Sequence, residues 1–199
     1  MIGIVDYGAG NLYSIVKAFD HLGFSTRVIK SVDDVLEIER VVMPGVGAFS
    51  SAIDGLKSKG LFSWLRNWIE TGKPFLGICL GMQVLFETSD EAKNIKGLGI
   101  FPGRVRRLNA KKVPHIGWNQ VLLNSACGLF KGIPSRPYFY FLHSYYVPYQ
   151  ESDYVQARTV YEVPFVSVLA RGNLYAVQFH PEKSGGLGLR MLDNWVRLC

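Results

Sequence analysis

Cysteine is scarce in this sequence and scattered. Cys79, Cys127 and Cys199 make an odd three, spaced neither as a disulfide framework nor as metal ligands, which points to a reducing, cytoplasmic setting with no metal site. Long apolar runs are missing too. The best candidate, around Phe75 to Phe86, is broken by Gly77, Gly81 and Gln83 and falls short of the roughly 18 to 20 residues a membrane helix needs, so no membrane association is expected. The opening Met1-Ile2-Gly3-Ile4-Val5-Asp6 has no basic start, and Asp6 cuts its apolar run short, unlike a secretory signal. Charge is sparse at 19% of residues against 48% hydrophobic, which excludes a disordered chain. A net charge of +6 remains. Its densest segment, Arg104-Val105-Arg106-Arg107 through Lys111-Lys112, alternates with apolar residues as an exposed strand face does. No aromatic-plus-basic motif accompanies it, so it reads as a solvated or partner-facing patch and not as a nucleic-acid site.

What is present is material for one sizeable core: 12 Phe, 10 Tyr and 4 Trp in 199 residues, with a single domain over 1–199 as the expectation. The first half alternates short apolar runs with helical patterns. Ile2–Val5 reads as a strand, and a helix from about Asn11 to Leu22 follows, with Asn11 as its cap and Gly23 as its stop. Thr26–Ile29 and Arg40–Met43 read as strands, residues near Ser50 to Glu70 as one or two helices, and Pro74–Ile78 as a fourth strand running into Cys79. This order implies an α/β fold with an open, mostly parallel sheet covered by helices on both faces. After about Ile95 the segments Gly99–Leu108, Gly117–Leu123, Tyr138–Tyr146, Tyr154–Tyr161, Phe165–Ala170 and Leu174–Phe179 look like hairpins of an antiparallel β layer. Leu189–Leu198 reads as a closing amphipathic helix.

Three local patterns carry chemistry. Gly77-Ile78-Cys79-Leu80-Gly81 places a thiol between a predicted strand and a predicted helix, the sulfur version of a nucleophile elbow. A thiol at a helix start feels the positive end of the helix dipole, which favours the reactive thiolate. The Leu80 amide would face the same centre. In Gln178-Phe179-His180-Pro181-Glu182, continued strand geometry would project His180 and Glu182 to one side, where the carboxylate would orient the imidazole as a base. The turn Pro44-Gly45-Val46-Gly47 follows the third strand at the edge where the elbow lies, so its amides and that of Leu80 are candidates for an oxyanion hole. Each pattern alone also suits a bland role: a small buried thiol, a surface His beside a Glu, an ordinary loop. Their coincidence favours chemistry. His21 reads as structural, His115 and His143 as core or interface residues, and Cys127 and Cys199 as bystanders.

Taken together, these segments resemble a class I glutamine amidotransferase over essentially the whole chain. Gly77-Ile78-Cys79-Leu80-Gly81-Met82-Gln83 is similar to that class's nucleophile segment, and Gln178-Phe179-His180-Pro181-Glu182-Lys183-Ser184 to the segment carrying the rest of a Cys-His-Glu triad. The resemblance implies a flavodoxin-like sheet, no cofactor, and glutamine hydrolysis through a Cys79 thioester, with Gln83, Ser144 and Tyr145 positioning the substrate. Within the class, Asp6-Tyr7-Gly8-Ala9-Gly10-Asn11, Pro44-Gly45-Val46-Gly47, Pro114-His115-Ile116-Gly117-Trp118-Asn119 and Phe141-Leu142-His143-Ser144-Tyr145-Tyr146 are similar to segments of the glutaminase subunits of imidazole glycerol phosphate synthase. That likeness implies a separate β/α-barrel cyclase partner in histidine biosynthesis, met through Asn11, Trp118 and Asn119. It also implies ammonia passed to a phosphorylated ribulosyl substrate inside the barrel. A peptide flip at Val46, completing the oxyanion hole only when the partner is loaded, is the expected switch. Rival readings are a glutaminase serving another synthase, which Gly117-Trp118-Asn119 argues against, a cysteine peptidase or chaperone-like relative, and a non-catalytic binding module.

Overall fold

The computed structural model describes residues 1–9, 11–123 and 127–199, so Gly10 of the first-turn segment lies outside the described residues. The elements run β1 (Ile2–Val5), α1 (Leu12–His21), β2 (Thr26–Ile29), β3 (Arg40–Met43), α2 (Phe49–Ser58), α3 (Leu61–Glu70), β4 (Phe75–Ile78), α4 (Leu80–Gln83), β5 (Phe86–Ser89) and β6 (Phe101–Arg107). They continue with β7 (His115–Gln120), β8 (Leu122–Leu123), β9 (Tyr138–His143), β10 (Tyr145–Tyr146), β11 (Val155–Tyr161), β12 (Val163–Arg171), β13 (Leu174–Val177) and α5 (Gly185–Leu198). Helix α1 starts where the sequence places it, because the Asn11 side chain accepts a hydrogen bond from the Ser14 amide at 3.3 Å and so satisfies one orphan donor of the first turn. It stops at Gly23, whose φ of +81° only glycine adopts freely. The expected helical stretch before Glu70 splits into α2 and α3 at Gly60, which has a φ of +70°.

Among the described residues the main sheet has the order β2-β1-β3-β4-β13-β12-β11-β8. Strands β2, β1, β3, β4 and β13 pair in parallel. Both faces are buried, and alternate residues of one strand serve opposite cores: Val41 and Met43 pack with α2 and α3, while Val42 packs with α1 and α5. That double burial is why these strands read as unbroken apolar runs. Burying each such side chain stabilises the fold by roughly 1.5–3 kcal/mol, and Phe19, Phe49, Phe75 and Trp195 are wholly enclosed.

The antiparallel strands of the second half do not gather into one layer. β12, β11 and β8 extend the main sheet, β7 and β9 pair as a two-stranded ribbon, and β6 sits between β10 and β5. The segment around Leu174–Phe179 looks like a hairpin strand and does pair antiparallel with β12, but its other edge lies parallel to β4. The apolar run after Cys79 is shorter as a helix than its pattern suggests: α4 is a single turn, and Phe86–Ser89 becomes a strand because β6 offers it a pairing edge. On β6 the residues Arg104, Arg106 and Arg107 are exposed around buried Val105, with Arg104 paired to Asp90 at 2.5 Å. No helix among the described residues is long and apolar enough to cross a membrane.

Candidate active site

Strand β4 ends one residue before Cys79, whose φ of +52° and ψ of −105° turn the chain abruptly into α4. A left-handed conformation at a residue with a side chain costs about 1–3 kcal/mol and persists only where its surroundings impose it. Here the imposition is backbone contact. A Cβ on Gly77 would lie 2.6 Å from the Gly81 carbonyl, and one on Gly81 would collide with the Met43 carbonyl, so both flanking glycines are required for the elbow to fold against itself and against β3. The Cys79 amide is fixed by the Val177 carbonyl at 2.7 Å. The sulfur lies 3.7 Å from the Leu142 carbonyl and accepts a hydrogen bond from the Gln178 amide group at 3.5 Å. Leu80, as the first residue of α4, has no intrahelical acceptor for its N–H, which leaves that donor available beside the sulfur.

His180 follows β13, the parallel neighbour of β4, and its own amide is held by the Tyr140 carbonyl at 2.8 Å. The extended geometry expected for His180-Pro181-Glu182 is absent. The chain enters a short 3-10 turn over Pro181–Lys183 with His180 as its cap. That turn still brings Glu182 Oε1 to 2.8 Å from His180 Nδ1, with the two side chains only 1% and 2% exposed. The Ser184 hydroxyl locks the turn by donating to the His180 carbonyl at 2.6 Å. Burial works against a charge on His180. The Cys79 sulfur and then Glu182 outweigh that penalty and push its pKa up to about 10. His180 Nε2 nevertheless has no hydrogen-bond partner among the described residues. The Cys79 sulfur therefore lies close enough to raise the His180 pKa, through its charge and as a hydrogen-bond acceptor, without a well-aligned bond to Nε2. Such a pair can hold a proton on imidazole while a sulfur attacks, then give it to a leaving group.

A cavity of about 280 Å³ opens in front of the sulfur, at the carboxyl ends of the parallel strands where such sheets bind ligands. It is lined by Cys79 and by the residues expected to hold substrate: Gly45, Val46, Gly47, Leu80, Gln83, Ser144 and Tyr145. His180 and Glu182 stand behind Cys79 and do not line it. Glu182 instead borders a shallow depression beside Tyr13, Lys17 and His21. Gly45 packs so tightly on the elbow that a Cβ there would collide with the Leu80 amide nitrogen and the Ile78 carbonyl. The Val46 N–H, a candidate oxyanion donor, is committed to the Tyr7 hydroxyl at 3.2 Å.

Several residues take part in the site in ways the sequence does not specify. Among the described residues Glu91 brings the one carboxylate to the cavity wall and accepts from the Phe49 amide at 2.8 Å, which suits it to an ammonium group. Gln178 bridges Cys79 to Gln83, whose side chain donates to Gln178 at 3.2 Å and to the Tyr145 carbonyl at 2.8 Å. The same carbonyl faces His143 Nδ1 at 2.9 Å, His143 Nε2 faces His115 Nδ1 at 3.0 Å, and His115 Nε2 faces Asn119 Nδ2 at 3.3 Å. Because a carbonyl only accepts and an amide nitrogen only donates, both tautomers follow: His143 carries its proton on Nδ1, and so does His115. Burial drives both imidazoles neutral, to about 3 for His143, where the charge of His115 adds to the effect, and to about 4 for His115. Asn119 therefore spends its amide inward, donating also to the Val160 carbonyl at 3.0 Å, whereas Trp118 of the same strand is 56% exposed and Asn11 is half-buried beside α1. Most of these links join residues far apart in sequence, such as Gln83 with Gln178 and His115 with His143, and only a fold can reveal them.

The chain matches the family model described as "Glutamine amidotransferase class-I" over residues 3–198. It is 48% identical over 200 residues to the imidazole glycerol phosphate synthase subunit HisH of Desulfitobacterium hafniense, covering 98% of this chain and 95% of that one. It is 44% identical to the chloroplastic imidazole glycerol phosphate synthase hisHF of Arabidopsis thaliana, covering 98% of this chain but 34% of that longer one. Among solved structures, PurLQS from Thermotoga maritima shares the fold with a TM-score of 0.78 at 17% identity, covering 98% of this chain and 96% of that one. The chain belongs to the class I glutamine amidotransferases and, within them, to the family of imidazole glycerol phosphate synthase subunit HisH.

Proposed function

We propose that this chain is the glutaminase subunit of an imidazole glycerol phosphate synthase, acting as one domain with Cys79, His180 and Glu182 as its catalytic residues. The observation that carries the reading is the buried His180–Glu182 pair, held at 2.8 Å behind the Cys79 elbow. The Cys79 thiolate attacks the side-chain carboxamide carbon of glutamine, and the carbonyl oxygen becomes an oxyanion that accepts from the Leu80 amide and from the Gly45-Val46-Gly47 turn. His180 gives its proton to the departing nitrogen as the C–N bond breaks, releasing ammonia and leaving a γ-glutamyl thioester. Water then attacks the thioester, His180 takes a proton from it, and the C–S bond breaks to give glutamate and free thiolate. Glu182 keeps the imidazole in one tautomer throughout. Gln83, Ser144 and Tyr145 position the substrate, and Glu91 receives its α-ammonium group.

Ammonia that escaped to water would protonate and lose its nucleophilicity, so a direct path to a separate cyclase subunit suits this chemistry. The fused hisHF relative, of which this chain spans about a third, supports such an arrangement. Asn11 and exposed Trp118 are the proposed contacts, with Asn119 acting from behind by fixing its strand. A reducing cytoplasm suits a free catalytic thiol. The test is glutamate release from glutamine by the chain alone, by the chain with a cyclase subunit and its ribulosyl phosphate substrate, and by Cys79→Ala. Weak release alone, strong release with the loaded partner and none from Cys79→Ala is the expected pattern; release surviving Cys79→Ala overturns the mechanism.

A further inference from the structure

The turn after β3 is fixed at both ends and loose between them. At one end Gly45 lies against the Leu80 amide nitrogen with no room for a side chain. At the other, the Phe49 amide that opens α2 is held by Glu91 at 2.8 Å. Between these points stand Val46 and Gly47, the latter with a φ of +114°. Glycines on both sides remove the Cβ clashes that would otherwise oppose rotation of the Val46 peptide groups. What holds Val46 is one side chain: the Tyr7 hydroxyl donates to the Val46 carbonyl at 2.9 Å and accepts from the Val46 N–H at 3.2 Å.

Tyr7 is itself tightly enclosed. The preceding residue, Asp6, is pinned by Lys59, whose ammonium donates to the Asp6 carbonyl at 2.7 Å and lies 3.5 Å from its carboxylate. A Cβ on Gly55 of α2 would collide with the Tyr7 carbonyl, so helix and tyrosine are in backbone contact. The ring is 3% exposed, and burial keeps the phenol protonated, giving it the one proton and the lone pairs that the two bonds require. An N–H has a single proton to give. While Tyr7 accepts it, Val46 cannot donate to an oxyanion in the cavity it lines.

We propose that Tyr7 is a positioning residue for glutamine hydrolysis: its hydroxyl is a two-point latch that withholds the Val46 amide from the oxyanion hole. This inference rests on the glutaminase reading above. The latch also has a route to the surface. Tyr7 lies four residues before Asn11 in the turn between β1 and α1, and Ala9 of that turn packs 3.6 Å from where a Cβ on Gly47 would lie. Pressure on this turn from a docked partner bears on both hydrogen bonds at once.

The test is Tyr7→Phe, which keeps the ring and removes only the hydroxyl. Losing two hydrogen bonds of ordinary strength shifts the latch by on the order of tenfold. The expected result is glutamate release without the cyclase that rises by about that factor in kcat, with little change in KM and an unaltered rate with the loaded cyclase, so that the stimulation ratio shrinks. A partner-free rate that is unchanged or lower, in a variant with native thermal stability, overturns the latch. If the variant does not fold, amide hydrogen exchange in the wild-type chain decides: a protected Val46 N–H supports the latch and a freely exchanging one overturns it. A wild-type chain that releases no glutamate even with the loaded cyclase sinks the glutaminase reading instead, and the exchange measurement still reports on the latch.

Discussion

Substituting alanine for Gly45 adds one carbon at the point where the oxyanion turn meets the nucleophile elbow. That carbon would lie 2.6 Å from the Gly81 amide nitrogen and closer still to the Leu80 nitrogen and the Ile78 carbonyl, inside the 3.0 Å that real Cβ atoms respect. All three neighbours are backbone, so no flexible side chain can swing away. Overpacking of this kind costs about 1–3 kcal/mol of stability, which lowers Tm by roughly 2–4 °C for each kcal/mol in a chain of this size. The catalytic loss is larger. The Leu80 amide has to move back from its place beside Cys79, and losing one oxyanion donor slows chemistry by about 10²–10³. Gly186→Ala is the matched control, because nothing lies within 4 Å of its added carbon and alanine favours the first turn of α5. The assay is glutamate release with the loaded cyclase, read as kcat and KM separately, alongside thermal unfolding of both variants. Gly45→Ala should lose kcat at least a hundredfold while Gly186→Ala keeps it. A Gly45→Ala enzyme with full kcat would refute the close contact as the source of the donor's placement.

The raised pKa of His180 makes stability depend on pH in a defined direction. The folded chain holds this proton up to about pH 10, whereas an unfolded histidine releases it near 6.5, so the native state binds more protons between those values and the contribution of His180 falls as pH rises. The stability gap between wild type and His180→Gln in urea unfolding should therefore narrow from pH 6.5 to 10, and a constant gap contradicts the assignment. Trp118→Ala removes an exposed aromatic from the proposed contact face; a central anchor there is worth about 2 kcal/mol or more, so cyclase affinity should fall about 30-fold with partner-free glutaminase unchanged, and equal affinity by calorimetry moves the interface elsewhere. Glu91→Gln keeps an acceptor for the Phe49 amide but loses the charge. KM for glutamine should rise about 10- to 100-fold, the worth of a charge-assisted hydrogen bond, and a changed kcat with unchanged KM assigns Glu91 another role.

The parallel half of the sheet and helices α1 to α3 are legible in the sequence because each element carries its own signal: an apolar run, a cap at Asn11, a stop at Gly23. The elbow is legible for a related reason, since the glycines at 77 and 81 are needed by contacts within a few residues. Legibility ends where pairing decides the outcome. Phe86–Ser89 is a strand because β6 lies beside it, and Leu174–Val177 takes one parallel neighbour because β4 has a free edge. The proximity of His180 to Glu182 was foreseeable, but not the 3-10 turn that achieves it. Tyr7, Glu91 and Gln178 were hidden for the same reason, since each meets its partner across 39, 42 and 99 positions of sequence.

The three parts of the site leave three adjacent strands: the oxyanion turn from β3, the thiol from β4, the imidazole from β13, in registers that place Met43 opposite Gly77 and Ile78 opposite Val177. The sheet thus works as a ruler. Lateral separations are set by the strand spacing of about 4.8 Å, and advance along each strand by about 3.3 Å per residue. Neither distance depends on which apolar side chains fill the cores above and below. The reactive geometry is for that reason tolerant of core substitution and intolerant of length: one residue deleted from β13 would draw His180 back by about 3.3 Å and turn it to the opposite face. Insertions and deletions in these strands, rather than changes of composition, are the alterations this architecture is built to forbid.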